Sequence, residues 1–262
     1  MPNLNVIDSE VKLSNQMKDS KKRKGLVVTL VLSLAANVVL MAGIFFIGGV
    51  KTNFFKRIGS RMGFCEMSPK DRGDYYCIAG WTNTLAKLDY DADVVFFGNS
   101  ITRGGNFQDY FQSVRTCNLG YPGDNMDGMM LRIGQIKAVT PEKVFVMAGI
   151  NGLQVQSDQV FEEKYLRMVD SIKSSVPEAE LYLQSILPVN HSMKHGVASA
   201  EKIRKANEII AEIATRSNCV YVDLWSLYEV SGEMPKELTR DGVHLFPDAY
   251  DRWMKEIQKY IE

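Results

Sequence analysis

Short apolar runs alternate with longer amphipathic stretches along the C-terminal part of this chain, and this alternation restricts the possible folds more than any other feature. In the longer stretches, apolar residues recur every three or four positions, as on one face of a helix. Strands that alternate with helices pair in parallel, which predicts an α/β fold with helices on both faces of the sheet. Strands are expected at 94–97, 117–119, 144–148, 181–186 and 220–224, and helices at about 126–138, 159–175, 200–217 and 248–261.

The composition is that of a globular protein with a full-sized core. The chain has 262 residues, of which 45% are hydrophobic and 24% are charged. This length fits one α/β domain with a short appendage. Lys and Arg total 31 and Asp and Glu total 31, so the formal net charge is zero. A balanced charge gives no reason to expect nucleic acid as a partner.

An uncharged segment precedes the alternating pattern. Residues 25–50 contain no charged side chain, and roughly 20 apolar residues are enough to cross a bilayer. The apolar region of a cleaved signal peptide is usually only about 7 to 15 residues long. A buried core helix is the alternative, but few polar residues interrupt the run: Thr29, Ser33 and Asn37. We therefore expect an uncleaved transmembrane helix.

Basic residues flank this segment unequally and predict its orientation. Residues 18–24 contain five Lys or Arg side chains, whereas the opposite side has a looser set at Lys51, Lys56, Arg57 and Arg61. Because the side richer in Lys and Arg usually stays in the cytoplasm, we expect a cytoplasmic N-terminus and an exported C-terminal domain. The expected organisation is a basic cytoplasmic tail at 1–24, a membrane anchor at 25–50, a linker or approach loop at 51–78 and a folded domain at 79–262.

The first strand leads into Gly98-Asn99-Ser100. The glycine lets the backbone turn sharply, and the serine then lies where a helix would begin, with backbone N–H groups facing an incoming anion. A serine hydroxyl is a poor nucleophile unless a general base activates it. Ser100 is thus either a nucleophile or simply the N-cap of a helix, a common role of serine.

Two further loops follow the next two strands and could supply hydrogen-bond donors. Gly123 lies in the turn after the second strand, and Asn151 follows the third. In a parallel sheet the carboxyl ends of the strands share one edge, so these residues and Ser100 are expected to converge. A backbone N–H and a neutral amide suit a developing negative oxygen. The simpler reading is that both are ordinary turn residues.

Asp241 and His244 supply a carboxylate and an imidazole at fixed short spacing. A loop with Gly242 between them could direct the carboxylate to Nδ1–H and leave Nε2 free to face a hydroxyl. The pair could equally be a surface turn or half of a metal site. The other two histidines, His191 and His195, lie in a segment with Pro and Gly that favours a loop over a zinc-binding helix.

Taken in order, these four motifs resemble the SGNH (GDSL-like) hydrolase family, whose signature residues are Ser, Gly, Asn and His. The resemblance covers about residues 80–262 and implies a flavodoxin-like three-layer α/β/α sandwich with a five-stranded parallel sheet in the order 2-1-3-4-5. It also implies no cofactor, and the following roles: Ser100 as nucleophile, His244 as base with Asp241 behind it, and an oxyanion hole made by Ser100, Gly123 and Asn151. No Gly-x-Ser-x-Gly motif occurs, which disfavours the α/β-hydrolase fold.

The chain departs from the family at one position and carries four cysteines. The family commonly has Gly-Asp-Ser where this chain has Asn99. That aspartate looks structural in the family, so activity is expected to be kept. The family's strand order separates Cys117 from Cys219, and both are expected to be buried thiols. Cys65 and Cys77 lie close together in the linker and could form a disulfide.

The resemblance and the anchor together predict a membrane-attached, exported serine esterase. Its substrate would be a small-molecule or glycan ester, with O-acetyl groups as the first expectation, and its membrane contact would be residues 25–50. Two alternatives stay open. The acyl enzyme could pass its acyl group to a cell-envelope polysaccharide, or the protein could be a non-catalytic glycan-binding or scaffold protein that kept the fold.

Overall fold

The computed structural model describes residues 33, 37–40, 43, 84–85, 87–88 and 91–261. The chain divides into two compact units, residues 1–55 and residues 56–262. In the first unit the described residues are helical. Within the described positions, no helix combines the length and hydropathy that a membrane span requires. The predicted anchor at 25–50 lies mostly outside the described residues, and the linker at 51–78, with Cys65 and Cys77, lies entirely outside them.

The second unit is built on a five-stranded sheet in which every neighbouring pair of strands is parallel. The strand order, β2-β1-β3-β4-β5, confirms the predicted 2-1-3-4-5 arrangement. Gly98 at the end of β1 is level with Gly120 and Met147 on its two neighbours. The loops after these three strands therefore leave the same edge of the sheet. The strands are β1 (Val94–Gly98), β2 (Thr116–Gly120), β3 (Lys143–Met147), β4 (Glu180–Gln184) and β5 (Val220–Val222).

Helices fill the connections, and the longer ones match the apolar periodicity of the sequence. Both long helices begin at a serine N-cap: Ser157 Oγ accepts from the N–H of Val160, and Ser199 Oγ accepts from that of Lys202. Such caps satisfy backbone donors that a helix leaves unpaired at its start. The helices are α1 (Ser100–Arg103), α2 (Phe107–Tyr110), α3 (Met126–Met130), α4 (Gly134–Lys137), α5 (Asp158–Ser175), α6 (Ala200–Arg216), α7 (Trp225–Tyr228) and α8 (Tyr250–Ile261).

The prediction of one helix at 126–138 is wrong, because the segment forms the two short helices α3 and α4. Between them the backbone N–H groups donate to the carbonyl three residues earlier. Arg132 N–H donates to Met129 O, and Gln135 N–H donates to Arg132 O. Such 3₁₀-type turns are common at helix ends. Gly128 and Gly134 lower the helix propensity of the segment further.

The core lies on both faces of the sheet. Residues of β1 are almost completely buried, and the ring of Phe96 stacks on that of Phe107 with 3.6 Å between centroids. Trp253 of α8 packs edge-on against Phe107 and is fully buried. Burying a large apolar side chain is worth roughly 1.5 to 3 kcal/mol, so these contacts hold α2 and α8 against the sheet.

Cys117 and Cys219 are both free thiols at opposite edges of the sheet, one in β2 and the other just before β5. They are half-buried rather than fully buried as expected, because an edge strand has a neighbour on one side only. Desolvation raises the pKa of the Cys117 thiol to about 11 and also raises that of Cys219. A thiol with a raised pKa is a weak nucleophile.

Candidate active site

Ser100 is the first residue of helix α1, immediately after the turn that leaves β1. The N-cap of this helix is Asn99, whose Oδ1 accepts a hydrogen bond from the N–H of Ile101 at 2.9 Å. The reading of Ser100 as an N-cap is therefore wrong, since its neighbour fills that position. The Ser100 hydroxyl is released from capping, and its own N–H belongs to the first turn, where backbone donors have no partner inside the helix.

Glycine at position 120 allows the end of β2 to touch helix α1. A Cβ atom at position 120 would overlap the backbone N and Cα of Arg103. Because these are backbone atoms, no side-chain movement could relieve the overlap. Asn118 reinforces this contact, because its Nδ2 donates to the carbonyl oxygens of Thr102 and Gly105 at 2.9 Å and 2.8 Å. Helix α1, which carries Ser100, is thus fastened to the neighbouring strand by packing and by side-chain hydrogen bonds.

Asp241, His244 and Ser100 form a continuous hydrogen-bonded chain. His244 Nδ1 lies 2.7 Å from Asp241 Oδ2, and His244 Nε2 lies 2.8 Å from Ser100 Oγ. A carboxylate can only accept, so Nδ1 carries the proton and donates to Asp241. In the neutral ring Nε2 is then the acceptor for the Ser100 hydroxyl, which is the arrangement in which a base can take the serine proton.

Asp241 is held in its charged form. Burial opposes ionisation, but the backbone and ring N–H groups of His244 and the backbone N–H of Val243 donate to the carboxylate, so the pKa of Asp241 is lowered to about 2. The two backbone bonds, at 2.9 Å and 3.1 Å, both go to Oδ1 and leave Oδ2 for the imidazole. This division of the two oxygens fixes the orientation of the imidazole ring.

Thr239 holds the loop that carries Asp241 and His244. Its hydroxyl donates to the backbone carbonyl of His244 at 2.9 Å and accepts from the N–H of Gly242 at 2.9 Å. The side chain is completely buried. Because one hydroxyl bridges both ends of the loop, the loop closes with the spacing that brings the carboxylate against the imidazole.

Gly123 and Asn151 lie in loops that contact each other. Gly123 has a φ of 70°, a backbone conformation that glycine adopts without steric cost. In the part of the chain that the structure describes, its N–H donates to no protein acceptor. Asn151 Nδ2 donates to the backbone carbonyl of Asp124 at 2.7 Å, which leaves the second amide hydrogen for another acceptor. Two donors thus flank the edge of the sheet at which Ser100 lies.

Two residues outside the sequence motifs connect this site to the rest of the fold. Arg132 forms a buried ion pair with Asp124, with 2.6 Å between Nε and Oδ2. Tyr250, the first residue of α8, donates from its hydroxyl to Ile101 O at 2.7 Å. A signal for Arg132 exists in the sequence, since it is a charged residue in phase with the apolar positions Met129 and Ile136. Nothing in the sequence pattern distinguishes Tyr250.

His191, one of the two remaining histidines, makes its contacts within its own loop and with a neighbouring one. His191 Nε2 is 3.0 Å from Ala198 O, and its Nδ1 is 3.4 Å from a carboxylate oxygen of Glu233. Among the residues that the structure describes, no group of three or more His, Cys, Asp or Glu side chains is placed to hold a metal ion.

A cavity of about 320 Å³ lies beside β2, lined in part by Arg103, Cys117, Tyr121 and Arg132. Ser100, Asn151 and His244 do not line it. The site itself is open, since the side chains of His244 and Asp241 are 30% and 38% exposed. The Ser100 hydroxyl is therefore approached from the open edge of the sheet and not through this cavity.

Similar structures share this fold along most of their length. A Streptococcus pneumoniae protein described as a proposed platelet activating factor is 23% identical, with a TM-score of 0.65 over 72% of this chain and 94% of that one. A proposed acylhydrolase from Bacteroides fragilis is 26% identical, with a TM-score of 0.58 over 69% and 93% of the two chains. A mutant of an acetyl-xylooligosaccharide esterase from Geobacillus is 19% identical, with a TM-score of 0.51 over 67% and 96%.

No curated protein matches the chain. The family model of the GDSL-like Lipase/Acylhydrolase family matches residues 96–252, which is more than half of the sequence. The matched segment begins in β1, ends in α8 and includes Ser100, Gly123, Asn151 and His244. The match agrees with the strand order and with the fold shared by the similar structures. The chain belongs to the GDSL-like Lipase/Acylhydrolase family.

Proposed function

We propose that this protein is a serine esterase in which Ser100 is the nucleophile, His244 the general base and Asp241 the carboxylate that orients the base. The observation that carries this proposal is the chain of two hydrogen bonds, 2.8 Å from His244 Nε2 to Ser100 Oγ and 2.7 Å from His244 Nδ1 to Asp241 Oδ2. Both distances fall within the reach that proton transfer requires.

In the first half of the reaction, Ser100 Oγ attacks the ester carbonyl carbon while His244 Nε2 takes the hydroxyl proton. Asp241 stabilises the imidazolium that forms. The negative oxygen of the tetrahedral intermediate is stabilised by the N–H groups of Ser100 and Gly123 and by the Asn151 amide. The carbon–oxygen bond to the alcohol then breaks, His244 returns the proton to the departing alcohol, and the acyl group stays on Ser100.

In the second half, water attacks the acyl enzyme. His244 takes a proton from the water, a second tetrahedral intermediate forms in the same oxyanion hole, and its collapse restores Ser100 and releases the carboxylic acid. These steps consume one ester and one water and need no cofactor. An acceptor hydroxyl on a glycan could replace the water, in which case the acyl group would be transferred instead of released.

We propose a short-chain ester, with O-acetyl groups on a glycan as the first substrate class to test. The open position of the site supports this choice, because a bulky sugar can approach an edge at which the imidazole is 30% exposed. The fold shared with an acetyl-xylooligosaccharide esterase is in keeping with it. We further propose that residues 25–50 anchor the protein and that the catalytic domain is exported, as the flanking charges suggest.

The test compares hydrolysis of p-nitrophenyl acetate by the wild-type protein and by Ser100→Ala. Loss of the nucleophile should lower kcat by about 10⁴-fold or more, because residues of such a triad act as a unit. Ser199→Ala, which removes the capping hydroxyl of α6, is the matched control and should keep its activity. A Ser100→Ala variant as active as the wild type would refute the mechanism. Added acetyl-acceptor glycan would reveal transfer as acetylated sugar formed in place of acetate.

A further inference from the structure

The side chain of Arg132 contacts several of the segments around Ser100, and no sequence motif predicts these contacts. Its side chain is 1% exposed, and that of its partner Asp124 is completely buried. Besides the 2.6 Å contact to Asp124, its Nη1 donates to Leu119 O at 2.5 Å and its Nη2 donates to Gly98 O at 2.7 Å. The guanidinium also lies over the ring of Phe97, 4.2 Å from the centroid.

Each of these contacts ends on a segment that carries an oxyanion-hole donor. Gly98 directly precedes the Asn99-Ser100 turn, and its carbonyl also accepts from the N–H of Tyr121 at 3.0 Å. Leu119 is the penultimate residue of β2, the strand that leads into the Gly123 loop. Asp124 follows Gly123, and its backbone carbonyl holds the Asn151 amide at 2.7 Å. One guanidinium therefore touches the supports of all three donors.

The cost of burying this ion pair argues against a role in stability alone. Taking a charged pair out of water costs free energy that the mutual attraction often fails to recover, and apolar residues of similar volume frequently stabilise a protein as well or better. A planar guanidinium has a property that an apolar side chain lacks, since its fixed fork of donors sets the angles between several acceptors at once. That property is what an oxyanion hole assembled from separate loops requires.

We propose that Arg132 is a positioning residue that keeps the Ser100 turn, the Gly123 loop and the Asn151 amide in the arrangement that receives the transition-state oxyanion. This role depends on the proposed esterase chemistry and adds a residue to it. Arg132 touches no reacting atom. Its effect should therefore be seen in stabilisation of the tetrahedral state and hardly at all in ground-state binding of the ester.

The variants are Arg132→Met, which keeps the volume without the charge, and Arg132→Lys, which keeps the charge without the fork. We expect Arg132→Met to lower kcat by about tenfold to a hundredfold, as misplacement of distant supports can do, with KM changed by less than threefold. Arg132→Lys should give a smaller loss. The affinity for phenylboronic acid, which forms a tetrahedral adduct with an active serine, should fall in parallel with kcat.

Ile172→Ala is the matched control, because Ile172 is fully buried on α5 and lies in none of the loops described above. It should reduce the resistance to urea while leaving kcat and boronic acid affinity unchanged. All proteins are compared at a temperature at which circular dichroism shows them folded. If Arg132→Met does not fold, kcat and boronic acid affinity are compared with the wild type in Arg132→Lys and Asp124→Asn instead.

The positioning role is contradicted if folded Arg132 variants keep kcat and boronic acid affinity within twofold of the wild type. It is also contradicted if the Ile172 control loses both to the same extent. A wild-type protein that neither hydrolyses the ester nor binds the boronic acid would instead overturn the proposed function, and the role of Arg132 with it. The wild-type measurement thus separates the two failures.

Discussion

At the scale of single residues, Asn99 takes the capping role at the start of α1, the helix that carries Ser100. Its Oδ1 accepts from the Ile101 N–H, while in the described part of the structure its Nδ2 is buried without a partner. The family commonly has aspartate here, and a carboxylate oxygen could accept the same hydrogen bond. The amide nitrogen therefore has no evident task in the resting protein.

The capping role gives a prediction for two substitutions. Asn99→Ala should lower the free energy of unfolding by about 1 kcal/mol, the usual cost of losing an N-cap, and should reduce kcat because the Ser100 turn loosens. Asn99→Asp keeps the acceptor and should retain kcat within a few-fold of the wild type. Urea unfolding and ester hydrolysis measure both effects. An inactive Asn99→Asp variant with normal stability would show that the amide nitrogen matters for the reaction.

The lowered pKa of Asp241 predicts how its contribution to stability depends on pH. Its pKa is about 2 in the folded protein and about 3.9 in an unfolded chain. The folded state therefore binds fewer protons, so the stabilising effect of the ionised group is complete above about pH 4 and is lost as the pH falls toward 2. Because the side chain is 38% exposed, the effect should be modest.

The measurement is the difference in unfolding free energy between wild type and Asp241→Asn across pH. We expect a constant difference from pH 5 to pH 7 and a decreasing one from about pH 4 downward. Asp248→Asn, which changes an exposed carboxylate on the neighbouring turn, is the control. A difference that grows as the pH falls would contradict the assignment. At pH values at which Asp241 stays ionised, any acid loss of activity must come from another group.

At the scale of secondary-structure elements, α8 is tied to the nucleophile helix through Tyr250. The hydroxyl of Tyr250 donates to Ile101 O at 2.7 Å, whereas that of Tyr228 donates to Ala249 O at 2.8 Å, just before α8. Both tyrosines are buried and both bonds end on a backbone carbonyl. They differ in that only Tyr250 contacts the helix that carries Ser100.

This difference allows a matched comparison. Tyr250→Phe and Tyr228→Phe should each lower the free energy of unfolding by about 1 kcal/mol, the usual net value of a hydrogen bond. Only Tyr250→Phe should also lower kcat, by about twofold to tenfold, since a small displacement of a helix is enough to misplace its nucleophile. Equal kcat values for the two variants would mean that α8 does not position α1.

The sequence predicted the elements far better than the contacts between them. The strands were identified because most are apolar runs bounded by turn residues, and the long helices because their apolar faces repeat regularly. The break between α3 and α4 was missed because apolar residues continue through it. The bonds from Arg132 and Tyr250 to the active-site loops were missed because they join segments far apart in sequence, and such pairings leave no periodic pattern.

That the predicted site residues would come together could be inferred for a related reason. Ser100, Gly123 and Asn151 each follow a strand, and the shared direction of parallel strands fixes their common edge without knowledge of the intervening chain. Asp241 and His244 lie in one short loop, so their contact is local. What the sequence could not indicate was that Asn99, and not Ser100, caps helix α1, because either side chain can accept that bond.

At the scale of the whole molecule, we expect the predicted membrane anchor and the folded domain to be separable. All five strands and the proposed triad lie within residues 91–261, and Leu85 packs against the same core. A chain that begins at residue 79 keeps these contacts. We expect it to hydrolyse a soluble ester with kcat within about twofold of the full chain, since no described contact of the site comes from residues 1–78.

The same truncation tests the predicted anchor. The full chain should be recovered with membranes and should need detergent for release, whereas the chain from residue 79 should be found in the soluble fraction. A full chain that fractionates as a soluble protein would contradict the anchor at 25–50. A truncated chain that folds but loses activity would show that the N-terminal residues contribute to the site.

We propose that His244 activates Ser100 as a nucleophile, and covalent labelling tests this claim. The wild-type protein incubated with a fluorophosphonate should gain one phosphonyl group, detected by intact-mass spectrometry and mapped by peptide sequencing to Ser100. His244→Gln should slow this labelling by about a hundredfold or more, because the base that removes the serine proton is gone. Absence of the adduct, an adduct on another residue, or equal labelling rates in the two proteins would contradict the claim.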